Sequence, residues 1–332
     1  ATHHSKFSSM NLSLNKKYNF DIDAGVNTYA GELALPYVTA ALLGAETIAK
    51  GRCRFLEGIV GDTVISGLAT TDTIQAANCS FSDGSNVALT EQVLSPSDLA
   101  VMEEICRGTM YPTWIAANGR MERNGDLPVA WSDFLLGAVA ERTGSNLESI
   151  IWSGATPFGT GFLSNNGTID EAGIDASACA NFVEGDTGAD VWSSTTILAA
   201  LNIVFDAASD IPGILQKPGC GFYVSYEAYA FYLQALAALN TGASYNQSLD
   251  GASYLGYPVY PTSGIPNTVD VCVFTYPDNL VVGANSYTAD ISAQLIPTYQ
   301  YDGSDNVRAS MRFAVGVQTG VAGDGVVGFN FT

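Results

Sequence analysis

A chain of 332 residues with 47% apolar and only 14% charged residues can build a large core, but its charged skin is thin beside the roughly 25% of a typical soluble protein. Its formal charge of −20, from 33 acidic and 13 basic residues, argues against sequence-specific nucleic-acid binding, which needs Lys and Arg to neutralise phosphates. No apolar run approaches the roughly 18 residues of a membrane helix, and residues 1–18 lack the apolar centre of a secretory signal.

Residues 1–28 are polar and show no helical period, which predicts a segment that is disordered or ordered by lying on a neighbour. Residues 29–50 place Leu35, Val38, Leu42 and Ala45 at helical spacing, with Gly51 as the stop. Residues 53–94 have no helical period. Thr, Ser, Val and Ile alternate with Gly58, Gly61 and Gly67, and Ser82-Asp83-Gly84-Ser85 supplies a turn, so a long hairpin is expected. Ser95-Pro96-Ser97-Asp98 then predicts the opening of a second helix, with Pro in the first turn and an acid at the positive end of the dipole.

The strongest helical pattern covers residues 129–152. Val129, Leu136, Val139, Ala140, Thr143, Leu147, Ile150 and Ile151 share one face, and Glu141, Ser145 and Glu148 read as the polar side. Trp131 and Phe134 make the first half apolar nearly all round, which marks these two as candidates for an interface between subunits. Gly144 is followed by Ser145-Asn146-Leu147-Glu148, which has the form of a capping box, so both one helix and two fit the pattern. Further on, helices are expected over 194–208 and 226–239, the first ended at Ile211-Pro212 and the second capped by Ser225. Short strands are expected over 221–225, 257–260 and 269–276. Two longer strands, 291–301 and 307–319, are expected to close the chain, joined by residues 302–306.

Chemistry-bearing patterns are scarce. The histidines are His3 and His4 alone, inside the polar start, which removes Ser-His-Asp and Cys-His mechanisms. There is no phosphate-binding loop and no dinucleotide fingerprint. Glu103-Glu104 and Asp170-Glu171 are adjacent acids that do not make a glycosidase pair, and the aromatic group Tyr223, Tyr226, Tyr229, Phe231 and Tyr232 reads as packing. No catalytic, cofactor-binding or metal-binding residue is expected. The six cysteines form no CxxC pair and are expected to be free and reduced. The scarcity of charge fits either a surface covered by other copies of the chain or the neutral polar surface of a secreted protein rich in Gly, Ser and Thr.

The order of segments carries a resemblance. Residues 206–240 run helix, Ile211-Pro212, Gly221-Phe222-Tyr223-Val224-Ser225, aromatic helix; then follow Leu255-Gly256-Tyr257-Pro258-Val259, Gly264-Ile265-Pro266 and Asn279-Leu280-Val281-Val282-Gly283. The closing strand over 308–318 has Phe313, Gly316 and Gln318 in an F-x-x-G-x-Q pattern, and the long helix ends in Ile151-Trp152-Ser153-Gly154. In this order the chain resembles the major capsid proteins of tailed bacteriophages, which share the Hong Kong 97-type shell fold with encapsulins. The resemblance implies an α+β fold: an N-terminal arm over 1–48, an extended loop over 49–94, a peripheral domain over 95–175 and 290–332 with a long spine helix, and an axial domain over 176–289. It implies a non-enzymatic protein that assembles with itself as hexamers and pentamers into an icosahedral shell around double-stranded DNA. Scaffolding, portal and decoration proteins would be its partners, the host cytoplasm its place of assembly, and the virion capsid its location. Some members cross-link through Lys and Asn, which is not expected here because residues 53–94 contain no Lys. Two other readings stand beside it, an encapsulin-type nanocompartment shell and a secreted acidic glycan-binding or hydrolytic protein.

Free thiols and the absence of a metal pattern make one expectation testable. Assembled material incubated separately with a chelator and a reductant should keep its light scattering in both; collapse in reductant would show a disulfide framework.

Overall fold

The computed structural model describes residues 27–30, 40–70, 87–106, 129–156, 158–164, 169, 182–186, 191–238, 252–285 and 292–330. The elements that build the first body begin with β1 (Asn27–Ala30), a helical turn at residues 40–43, α1 (Glu46–Ala49), β2 (Arg54–Glu57), β3 (Thr63–Thr70), β4 (Val87–Leu94), β5 (Ser97–Cys106) and α2 (Val129–Ser153). Next come β6 (Val183–Asp186), α3 (Ile197–Ser209), β7 (Gly221–Val224), α4 (Tyr226–Ala238), β8 (Ser253–Tyr254), β9 (Tyr257–Pro261) and β10 (Asp270–Thr275). The chain closes with β11 (Leu280–Asn285), β12 (Ser292–Pro297), α5 (Tyr299–Asp302), β13 (Asn306–Thr319) and β14 (Val326–Asn330).

Strand β13 organises the first of two six-stranded sheets. Its odd residues Val307, Ala309, Met311, Phe313, Val315 and Val317 are all buried, as the period of two requires of a strand with one face on a core. Ala314 pairs with both Asn285 of β11 and Asp98 of β5, while Arg312 pairs with Ser292 of β12 and Ala100 of β5. Strands β11 and β12 therefore lie end to end along one edge of β13, and β5 runs antiparallel along the other. Strand β1 adds to β12, and β2 runs parallel to β11. Helix α2 covers the odd face, with Leu135, Leu136, Val139, Leu147 and Ile151 in the shared core.

The second sheet has the order β6-β14-β10-β7-β9-β8 and carries α3 and α4. Phe222 and Phe274 pack with tilted rings at 4.7 Å between centroids, and Tyr257 and Phe205 close around Phe274. The Ser225 hydroxyl accepts the Ala228 N–H at 3.2 Å, the cap expected from sequence.

Several expectations hold. Residues 63–70 and 87–94 form the hairpin, although its turn at Ser82-Asp83-Gly84-Ser85 lies outside the described residues. The helices near 194–208 and 226–239 and the strands near 221–225, 257–260 and 269–276 lie where periodicity put them.

Four expectations are corrected. Residues 95–98 open a strand, because Leu99, Val101 and Ile105 alternate toward the core and β13 offers a ten-residue ladder. Residues 29–50 are not one helix: β1 reaches Ala30, and the chain turns at Gly44 before α1. Residues 291–301 end as a strand at Pro297 and continue into α5, and an unforeseen strand, β14, follows β13. Glu148, read as solvent-facing, is buried, whereas the continuity of α2 through Gly144 agrees with the single long spine helix that the resemblance implies. The sheets also cut across the expected boundary at 289/290, since β11 belongs to the first sheet and β14 to the second.

Gly44 and Gly144 explain two of these features together. A Cβ on Gly144 would lie 2.5 Å from the Gly44 Cα and 2.7 Å from its carbonyl carbon, so the backbones cross in direct contact. Gly→Ala inside a free helix gains about 1 kcal/mol. Here the obstacle is backbone, which cannot rotate away, and overpacking of that kind costs about 1–3 kcal/mol. Gly144→Ala should thus lower the melting temperature while leaving helical circular dichroism intact. A raised melting temperature would show that the crossing is loose.

Candidate functional site

The feature of this chain that a self-contained domain does not need is the β3–β4 hairpin. Its buried side chains among the described residues, Ile65 and Leu94, lie at the root, where they pack with Ile59 and Val281. That root crosses the even face of the first sheet, opposite to α2. Gly283 of β11 and Gly316 of β13 are paired directly, with Leu94 and Ile59 over the first and the Ser95-Pro96 backbone over the second. Two residues on, the Gln318 amide donates to Gln92 Oε1 at 3.2 Å and to the Val93 carbonyl at 3.3 Å. Gly283, Gly316 and Gln318, which lie far apart from the hairpin in sequence, thus build its seat.

Below the hairpin, the segment that leads into it is tied to both sheets. Glu148 of α2 is 1% exposed and accepts three hydrogen bonds: from the Thr47 N–H at 2.9 Å, the Thr47 hydroxyl at 2.6 Å and the Trp152 indole N–H at 3.1 Å. Burial pushes its carboxyl up from the ordinary range, and the nearby Glu46 charge adds to this, while the donors from Thr47 and Trp152 pull the other way. Glu46 is also pushed up by burial, but hydrogen bonds from Lys50, Tyr226 and Ser263 outweigh this and hold it below the ordinary range. Arg52 places its guanidinium 4.7 Å from the centre of the Tyr260 ring and donates to the Pro261 carbonyl at 2.5 Å. Tyr223 of β7 donates its hydroxyl to the Arg52 carbonyl at 2.9 Å. Residues 46–52 therefore join α2 to β7, α4 and the loop after β9. Sequence reading missed Glu148 here; its one signal was a Trp four residues on, on the same helical face.

Of the expected interface candidates, Phe134 is 53% exposed on α2, and the side chain of Trp131 lies outside the described residues. Cys53, Cys220 and Cys272 are buried and free. Burial pushes the thiols of Cys53 and Cys220 up to about 12 and raises that of Cys272 as well, so none is a reactive thiolate near neutrality. Cys79 and Cys179 lie outside the described residues. Among the described residues no group of three His, Cys, Asp or Glu side chains could hold a metal, and no helix is long and apolar enough to cross a membrane.

Neither a family model nor a curated protein matches the chain. Solved structures do. The capsid of a native gene transfer agent particle is similar with a TM-score of 0.53 and 13% identity, over 88% of this chain and 91% of that one. A chain of Gordonia phage Cozz gives 0.52 and 14% over 86% and 87%, and one of Microbacterium phage Oxtober96 gives 0.51 and 14% over 87% and 91%. The chain has the α+β fold of phage major capsid proteins. At such low identity the likeness is one of fold, and it spans nearly the whole of each partner.

The hairpin seat of this capsid fold can be tested at its two glycines. A Cβ on Gly283 would meet the ends of the Leu94 and Ile59 side chains at 2.5 and 2.7 Å, which can turn aside. A Cβ on Gly316 would meet the Ser95 carbonyl oxygen at 2.9 Å and the Pro96 Cα at 3.0 Å, which are backbone. Gly316→Ala should cost about 1–3 kcal/mol and Gly283→Ala less, by denaturant unfolding. Equal costs would mean that the hairpin root is not seated on Gly316.

Proposed function

We propose that this chain is the major capsid protein of a tailed phage, assembling with itself as hexamers and pentamers into a closed icosahedral shell around double-stranded DNA. The observation that carries the reading is the hairpin: on a capsid fold, a long two-stranded excursion is cored only at its root among the described residues. An isolated hairpin is at best marginally stable in water, so the rest of its stability is assigned to neighbouring subunits. The charge of −20 fits a wall that repels the packed polymer rather than binding it. The role is structural and not catalytic, located in the virion capsid and assembled in the host cytoplasm, with scaffolding, portal and decoration proteins as further partners.

In this reading residues 1–48 form the arm, with β1 as its fastening on the chain's own sheet, and residues 49–94 form the extended loop. The first sheet with α2 as spine is the peripheral domain, now including β11. The second sheet with α3 and α4 is the axial domain, now including β14. Trp131 and Phe134 are assigned to a contact between subunits.

Electron microscopy and sedimentation of native material test the reading together. Large shells carrying DNA or tails are expected. Small protein-filled shells would point to an encapsulin-type compartment, and monomer at every salt concentration would remove the shell reading. Trp131→Ser with Phe134→Ser, and separately deletion of residues 1–28, should leave soluble helical subunits while reducing the assembled fraction.

A further inference from the structure

On the face of the first sheet that carries the hairpin root, a cavity of about 470 Å³ opens beside Val60 and Pro96, over β5, β11 and β13. The alternation of β11 puts Asn285 on this face, since Leu280, Val282 and Ala284 enter the core on the α2 side and Gly283 lies under Leu94 and Ile59. The ladders align Asn285, Ala314 and Asp98 in one row across three strands, and Arg312 pairs with Ala100 in the next row. All five line the cavity.

Its three polar side chains make no contact that explains them within the subunit. Asn285 is 5% exposed, and its amide oxygen accepts no hydrogen bond among the described residues. Arg312 and Asp98 are exposed diagonal neighbours on one face, yet neither forms an ion pair among the described residues. A buried amide without a partner is destabilising, so stability alone does not account for Asn285. The volume lies within the roughly 300–1,000 Å³ of small-molecule sites. The backbones at Asn285 and Asp98 are two strand spacings apart, about 9–10 Å, with small side chains between. A cation and an amide on one side and a carboxylate on the other select a ligand with the opposite order of charges.

We propose that this cavity binds a small zwitterion, a free α-amino acid or a short peptide. Its carboxylate meets the Arg312 guanidinium and the Asn285 amide N–H, and its ammonium meets Asp98. The inference goes beyond the capsid reading and does not depend on it. Arg312 can give a carboxylate two parallel N–H donors, Asp98 accepts from the ammonium, and Ala314 and Ala100 leave the floor low enough for the ligand to lie between them. A direct pair between exposed Arg312 and Asp98 would be weak and would leave the amide unsatisfied, so it competes poorly with such a ligand.

Saturation-transfer NMR on the full-length chain tests this. The probes are glycine, glycylglycine and triglycine, each beside its N-acetylated and its C-amidated form. At least one zwitterionic probe should bind, and its two blocked forms should bind about tenfold more weakly, since each lacks one charge-assisted contact. A preference for glycine assigns the site to a free amino acid, and a preference for the longer probes assigns it to a peptide. Arg312→Gln and Asn285→Leu should each weaken binding about tenfold or more. Asn285→Leu should not lower the melting temperature, because an apolar side chain of similar size replaces the unpartnered amide. If Asn285→Leu fails to fold, Arg312→Gln decides alone, since that side chain is exposed. No binding of any zwitterionic probe, equal binding of the blocked forms, or wild-type binding by Arg312→Gln would overturn the assignment and leave the shell reading untouched.

Discussion

Glu148 is a buried carboxylate whose hydrogen-bonding partners are three donors and no cation, and the arrangement of the molecule depends on its being satisfied there. A carboxylate moved out of water costs several kcal/mol unless donors replace the lost hydration. Thr47 and Trp152 supply them, and in doing so they fix residues 46–52 against the spine helix. The same short segment sends Glu46 and Arg52 toward Tyr226, Ser263, Tyr260 and Pro261. The start of the excursion that becomes the hairpin is thereby referenced to both sheets, and so is its direction of departure.

Close backbone crossings do the complementary work. Gly44 against Gly144 lets the segment before α1 lie directly on the spine helix, and without that approach Thr47 could not reach Glu148. The paired Gly283 and Gly316 let the far end of the hairpin, Leu94 to Pro96, cross the sheet at contact distance, where Gln318 ties it down. Both ends of the excursion are thus held by small residues that admit backbone and by polar side chains that hold it.

The thin charged surface belongs to the same account. Exposed apolar groups stand on the hairpin face at Val64 and Val93, on β5 at Met102, on α2 at Phe134 and beside the second sheet at Val191. Scattered single exposures are ordinary; in the proposed shell, neighbouring copies would cover these groups on several sides at once.

By itself the sequence determined the elements whose hydrophobic period is unambiguous: the long helix over Val129–Ser153, the capped helix after Ser225, the hairpin strands, and the final long strand with its F-x-x-G-x-Q pattern. These are local properties, legible because side chains repeat at 3.6 or 2 residues. The tertiary structure decided what depended on distant partners. Ser95-Pro96-Ser97-Asp98 has the residues of a helix start, yet a ten-residue ladder with β13 outweighs that weak local preference. Glu148 reads as a polar-face residue until Thr47, 101 positions earlier, is brought to it. Gly144 reads as a weak point or a helix break, and is neither, because Gly44 occupies the space a side chain would need. Strand β14 is short and apolar, and its membership in the second sheet was set by the edges of β10 and β6 that it pairs with rather than by its place in the chain. In each case a local pattern was compatible with two structures, and the contact that chose between them came from residues far away in sequence.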